Sequence, residues 1–170
     1  MTIVVGCDNA AVDLKNTLIA CLKEQGVTVE DEGCMDASDP TVYPLVAKRV
    51  CENIIRSGYA KRGVLVCGTG IGMCITANKF PGIRAAVGHD CFSAERSILS
   101  NNGNVLCFGA RVIGPELAKK ILREWITLEF QDGSSTPKVQ AILDIERENK
   151  AMMILEESHA RVNNQGIRHV

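Results

Sequence analysis

The sequence predicts an α/β fold in which a five-stranded parallel sheet carries helices on both faces, and three observations predict it. Short strand-like runs at residues 2–7, 27–31, 63–67, 83–88 and 104–109 recur along the chain, most of them apolar. The segments between them repeat their apolar residues at helical spacing, and glycine or proline marks the joints.

Each element has its own justification. Residues 2–7 are an unbroken apolar strand, and Val12, Leu14, Leu18, Cys21 and Leu22 then mark one face of a helix that stops at Gly26. A second strand at 27–31 leads into the turn-rich stretch 33–40. The next helix starts near Pro44, with Leu45, Val46, Val50, Ile54 and Ile55 expected to face inward. The strand at 63–67 feeds a helix that is expected to run to about Phe80, and the strand at 83–88 precedes one from about Phe92 to Leu99. After the fifth strand, Gly114-Pro115-Glu116 opens a helix with proline in its favoured first turn; Ile121, Leu122, Trp125 and Ile126 form its apolar face. The polar stretch 131–137 then offers Thr136 as N-cap and Pro137 as the first residue of a helix through Lys150. Residues 1–150 read as one domain, and 151–170 as a helical extension that becomes polar and frays.

Composition narrows the function. The 170 residues are 46% hydrophobic and 23% charged, with 19 basic against 20 acidic side chains, so no global field points to nucleic acid or an anionic membrane. Aromatic residues make up 4% of the chain, too few for a base-stacking platform, and no apolar run approaches a membrane span. The first residues carry no basic segment and read as a strand, not a signal peptide. None of the eight cysteines forms a C-x-x-C pair or lies at zinc-ligand spacing from a histidine. Most read as small core residues of a protein in a reducing compartment, which predicts a cytoplasmic protein with no metal and no cofactor.

The chemistry concentrates at Cys67-Gly68-Thr69-Gly70-Ile71-Gly72. Here a thiol ends the third strand and an alternating-glycine turn opens the next helix. Such a turn presents backbone amides to an anion, and a helix N-terminus lowers a thiol pKa from its ordinary value near 8.5. In open parallel sheets ligands bind beyond the carboxyl ends of the strands. Connectivity puts Asp8, Cys67, His89 and Arg111 along that edge, behind strands one, three, four and five. The glycines do not form G-x-G-x-x-G and follow the third strand, which argues against a nicotinamide site.

Several separated motifs occur in order: Gly6-Cys7-Asp8, Tyr43-Pro44, the Cys67–Gly72 run, Ala77-Asn78-Lys79 before Pro81-Gly82-Ile83-Arg84, Ser93-Ala94, Asn101 with Asn104, and Gly109-Ala110-Arg111-Val112-Ile113-Gly114. Over about residues 1–150 the chain resembles the ribose-5-phosphate isomerase B and galactose-6-phosphate isomerase family. The resemblance implies a Rossmann-like three-layer sandwich and metal-independent aldose–ketose isomerisation of a phosphorylated sugar through an enediolate. It also implies a homodimer or tetramer whose subunits share active sites. Carried onto this chain, it makes Cys67 the carbon-acid base and Thr69 a proton shuttle. The amides of Gly68, Gly70, Ile71 and Gly72 then hold the oxyanion, and Asp8, Asn9, Tyr43 and Asn101 orient the sugar. Arg111 and Lys138 hold the phosphate.

The departures point to the substrate. Pentose-specific members carry histidine where this chain has Asn9, and a ring-opening histidine where it has Ser100. Two phosphate-binding arginines are replaced by Ser134 and Lys138, which loses one bidentate contact and leaves a point charge at the other. A tetrose 4-phosphate cannot close a furanose ring, because its terminal oxygen already bears phosphate, so it needs no ring opener. The run from His89-Asp90 through Asn101-Asn102 is similar to the erythrulose-4-phosphate isomerase branch. Two alternatives stand beside this reading: an isomerase of ribose 5-phosphate or another pentose or hexose phosphate, and an inert sugar-phosphate-binding subunit. His89 itself reads either as a substitute ring opener or as a part-buried histidine bonded to backbone.

Overall fold

The computed structural model describes the backbone of residues 1–166 and the side chains of residues 1–156. The elements are β1 (Thr2–Cys7), α1 (Val12–Glu24), β2 (Thr28–Asp31), α2 (Tyr43–Arg56), β3 (Arg62–Cys67), α3 (Ile71–Ala77), β4 (Ala85–Val87), α4 (Cys91–Leu99), β5 (Val105–Gly109), α5 (Pro115–Trp125) and α6 (Thr136–Gly166). All pairings are parallel, in the order β2-β1-β3-β5-β4. The three inner strands are covered on both sides, which is why they read as continuous apolar runs and not as alternating ones.

Helix α5 packs against both α1 and α4, and α2 packs against α3, so helices flank the sheet in two layers. Trp125 is fully buried where α5 meets α4, and its indole N–H donates to Ser97 Oγ at 3.1 Å. Glycine lets α2 approach β1 closely: a Cβ on Gly6 would fall 2.7 Å from Val50 and 2.8 Å from Val46.

Several expectations are corrected. Leu45 is 54% exposed and Ile55 only half-buried, because the inward face of α2 is Val46, Ala47, Val50, Cys51 and Ile54, and Leu45 shares the outer face with Lys48, Arg49 and Glu52. Helix α3 stops at Ala77, short of Phe80, since the side-chain amide of Asn78 pairs with both backbone groups of Ala85, at 2.8 and 2.9 Å. Strand β4 is correspondingly short: the Arg84 amide is taken by Asn104 Oδ1 at 2.8 Å.

The chain forms two compact units, Met1–Gln131 and Asp132–Val170, dividing ahead of position 150. In the second unit α6 runs without a break past Lys150. Thr136 is its first residue and not its cap. The amides of Lys138 and Val139 bond the carbonyl of Ser135, while Thr136 Oγ1 accepts from Gly133 N at 2.9 Å. Of the fraying tail expected to end at Val170, residues 167–170 lie outside the described residues.

Candidate active site

The chain leaves β1 toward β2 on one side and enters β3 on the other, so the carboxyl ends of β1 and β3 flank a topological switch point. Asp8 follows β1 and Cys67 closes β3 at that crevice. Cys67 is 5% exposed, and its Sγ accepts a hydrogen bond from the Gly70 amide at 3.1 Å. Gly70 holds φ +79°, a left-handed conformation that favours glycine, and this folds the turn back over the sulfur. Thr69 is exposed at the tip of the turn, where its Oγ1 accepts from the Ile71 amide at 3.4 Å.

Neighbouring elements frame this turn. A Cβ on Gly72 would lie 2.6 Å from the ring of Tyr43, so the first residue of α2 is stacked on the start of α3. A methyl at Gly68 would lie 3.6 Å from Cδ and Nε of Arg111, so the arginine side chain lies across the turn. Backbone bonds tie the same segments together: Ala110 N to Cys67 O at 2.8 Å and Arg111 N to Gly68 O at 3.0 Å.

Burial pushes the Asp8 carboxyl above the ordinary aspartate range, opposed by the Ala10 amide hydrogen bond and by the Arg111 charge. One Asp8 oxygen accepts from Ala10 N at 3.1 Å, and Asn9 donates to the carbonyl of Ala37 at 3.4 Å. His89 is half-buried behind β4, with Nε2 accepting from Gly109 N at 2.8 Å. Burial lowers its pKa, while Asp90 pulls the other way.

The carboxyl edge thus gathers Asp8, Asn9, Tyr43, the Cys67–Gly72 turn, His89 and Arg111. It does not gather Asn101. That residue follows α4, which returns the chain to the amino edge, and its Nδ2 donates to Arg96 O at 3.0 Å. Val105, just beyond it, pairs with Gly63, four residues or about 13 Å along β3 from Cys67. Lys138 is exposed on α6 and Ser134 precedes that helix, both in the second unit.

Two groups escaped the sequence reading. Lys15 is completely buried, and its Nζ donates to Asp31 Oδ2 at 2.6 Å and to Cys34 O at 3.0 Å. The available signal was a lysine set between Leu14 and Leu18 in the apolar stripe of α1. Cys74, one turn into α3, has its pKa pulled down to about 7 by a hydrogen bond with Cys107, against the upward push of burial.

A family model described as Ribose/Galactose Isomerase matches residues 3–142. D-erythrulose-4-phosphate isomerase of Pectobacterium atrosepticum is 49% identical over 150 residues, which span 88% of this chain and 98% of that protein. Ribose-5-phosphate isomerase B of Escherichia coli is 43% identical over 145 residues, 85% and 96% of the two chains. The structure of Clostridium thermocellum ribose-5-phosphate isomerase B superposes with a TM-score of 0.83 at 37% identity, covering 88% of this chain and 99% of that one.

Proposed function

The chain belongs to the ribose/galactose isomerase family and is a sugar-phosphate isomerase, and from that premise we propose that it interconverts erythrulose 4-phosphate and erythrose 4-phosphate. The observation that carries the chemistry is the thiol of Cys67 at the switch-point crevice, with Asp8 and Arg111 beside it. The Cys67 thiolate takes a proton from carbon 1 of the ketose, leaving an enediolate. The resulting thiol returns it to carbon 2 as the carbonyl forms at carbon 1. A second proton passes from oxygen 1 to oxygen 2, and the exposed Thr69 hydroxyl is the group at hand to relay it.

Amides of the Gly68–Gly72 turn stabilise the negative oxygen in this reading, with the Gly70 amide already committed to the sulfur. Asp8, Asn9 and Tyr43 orient the hydroxyls and Arg111 receives the phosphate, a role the family resemblance also gives to Lys138. No metal or cofactor enters these steps. Because Asn101 sits at the far edge of its own sheet, we assign its sugar contact to a second copy of the chain, in a homodimer or larger assembly. Eight free cysteines among the described residues fit a reducing, cytoplasmic setting.

The tetrose assignment rests on Ser100. It closes α4 where a ring opener would stand, and a serine hydroxyl is no acid–base catalyst near neutral pH. A panel of tetrose, pentose and hexose phosphates tests the reading. Fastest turnover of erythrulose 4-phosphate supports it, and much faster turnover of ribose 5-phosphate rejects it. Binding without turnover of any sugar would instead mark an inert subunit.

A further inference from the structure

We propose that His89 is a positioning residue that holds the catalytic turn through the backbone of Gly109; this rests on the reading that Cys67 and Thr69 carry the isomerisation. Strand β4 ends at Val87, level with Cys107, and its last ladder bond runs from Gly88 N to Cys107 O at 3.1 Å. Strand β5 continues to Gly109, so the Gly109 amide projects past the end of its neighbour. The imidazole of His89 stands in for the missing strand, with Nε2 accepting that amide at 2.8 Å.

The other side of the same peptide supports the active turn. A Cβ on Gly109 would lie 2.6 Å from the carbonyl carbon of Thr69 and 2.7 Å from its Cα. At Gly70 a Cβ would meet the carbonyl carbon of Phe108 at 3.0 Å and the Gly109 nitrogen at 3.3 Å. The Phe108–Gly109 peptide is therefore the floor on which Thr69 and Gly70 rest, and Gly70 in turn holds the sulfur of Cys67. Tilting that peptide would misplace both the base and the hydroxyl relay.

The same contact supports the reading of His89 as a part-buried histidine bonded to backbone. To accept from Gly109, Nε2 must lack a proton, which leaves Nδ1 as the protonated nitrogen. Its burial favours this neutral form. With Nε2 engaged with backbone, only the Nδ1–H is left to serve a sugar oxygen, and loss of ribose 5-phosphate turnover in His89→Gln would report that role.

Three variants test the proposal: His89→Gln, whose amide oxygen reaches near the position of Nε2, His89→Leu, which keeps bulk without an acceptor, and His89→Ala. Purified proteins are assayed with erythrulose 4-phosphate and ribose 5-phosphate, alongside hydrogen exchange of the Gly109 amide. His89→Leu and His89→Ala are expected to lower kcat about tenfold or more with little change in KM, as misplacement of reacting groups does, and to speed Gly109 exchange. His89→Gln is expected to restore both measurements. A folded His89→Gln that exchanges slowly yet loses turnover as fully as His89→Leu would overturn the proposal in favour of acid–base chemistry. Full activity in His89→Leu would overturn it as well, by leaving His89 no part in turnover. If His89→Leu does not fold, the exchange rate and kcat of His89→Gln decide alone. Absence of turnover by the unmodified protein would sink the isomerase reading, while Gly109 exchange would still report whether His89 holds that peptide.

Discussion

The amide of Gly70 donates to the sulfur of Cys67 across 3.1 Å, closing a loop of three residues around the group assigned as base. An oxygen at the same position can accept that amide, so Cys67→Ser should fold normally while replacing a thiol by a hydroxyl that ionises far less readily. Turnover should fall by about 100-fold or more, the scale of a lost general base. Cys74→Ser, which alters the neighbouring thiol, should retain most activity. Steady-state kinetics beside circular dichroism check both, and an undiminished Cys67→Ser would remove the mechanism.

Replacing Gly109 by alanine should damage stability and rate together. The new methyl would meet Thr69 main chain at 2.6–2.7 Å, and backbone cannot swing aside as a side-chain end can. A cost of about 1–3 kcal/mol is expected from such overpacking, read as a lower urea midpoint, with a drop in kcat from the displaced turn.

Lys15→Met should destabilise without touching the reaction centre. The ammonium is buried and satisfies both Asp31 and the carbonyl of Cys34. Asp31 keeps 26% of its side chain in water, so the loss should fall near the lower end for a broken buried pair, about 3 kcal/mol. Removing both charges in Lys15→Met/Asp31→Leu should recover part of it in urea unfolding.

His89 supplies a pH dependence with a definite sign. Its folded pKa lies below the ordinary 6.5, chiefly through burial, so the unfolded chain binds the proton more readily. The stabilising contribution is present above pH 6.5 and is lost as pH falls through the lowered folded value. Unfolding free energies across that window should slope downward toward acid, and His89→Gln should flatten the slope. Equal slopes for the two proteins would contradict the assignment.

Mixing two inactive proteins, Cys67→Ser and Asn101→Ala, should regenerate turnover if the sites are shared. Each mixed dimer would hold one doubly altered site and one intact site, so random two-fold pairing restores about a quarter of the sites. No recovery after subunit exchange, verified by native mass spectrometry, would mean that Asn101 and Cys67 serve one site from the same subunit.

Much of this molecule was legible in the order of its residues. Strands β1, β3 and β5 are buried on both faces, so they had to be written as unbroken apolar runs, and parallel connectivity alone brought Asp8, Cys67, His89 and Arg111 to one edge. What escaped was set by side chains acting as backbone substitutes. The amide of Asn78 truncates α3 and the imidazole of His89 extends the ladder of β5, and neither contact leaves a periodic trace. Leu45 misled because one apolar residue at a helix start fits two adjacent faces. Lys15 hid because a charge in an apolar stripe reads as a flaw until its carboxylate partner, sixteen residues away, is brought alongside.

The two margins of the sheet are its shortest strands, four residues in β2 and three in β4. Glu30 and Asp31 occupy half of the first, and the second gives way to side-chain bonds at both ends. Neither margin offers a neighbouring molecule a long run of unpaired amides and carbonyls, so rows of these sheets gain little by adding strand to strand. A protein with so apolar a centre is thereby guarded against fibrous self-association, and brevity at the borders supplies that protection.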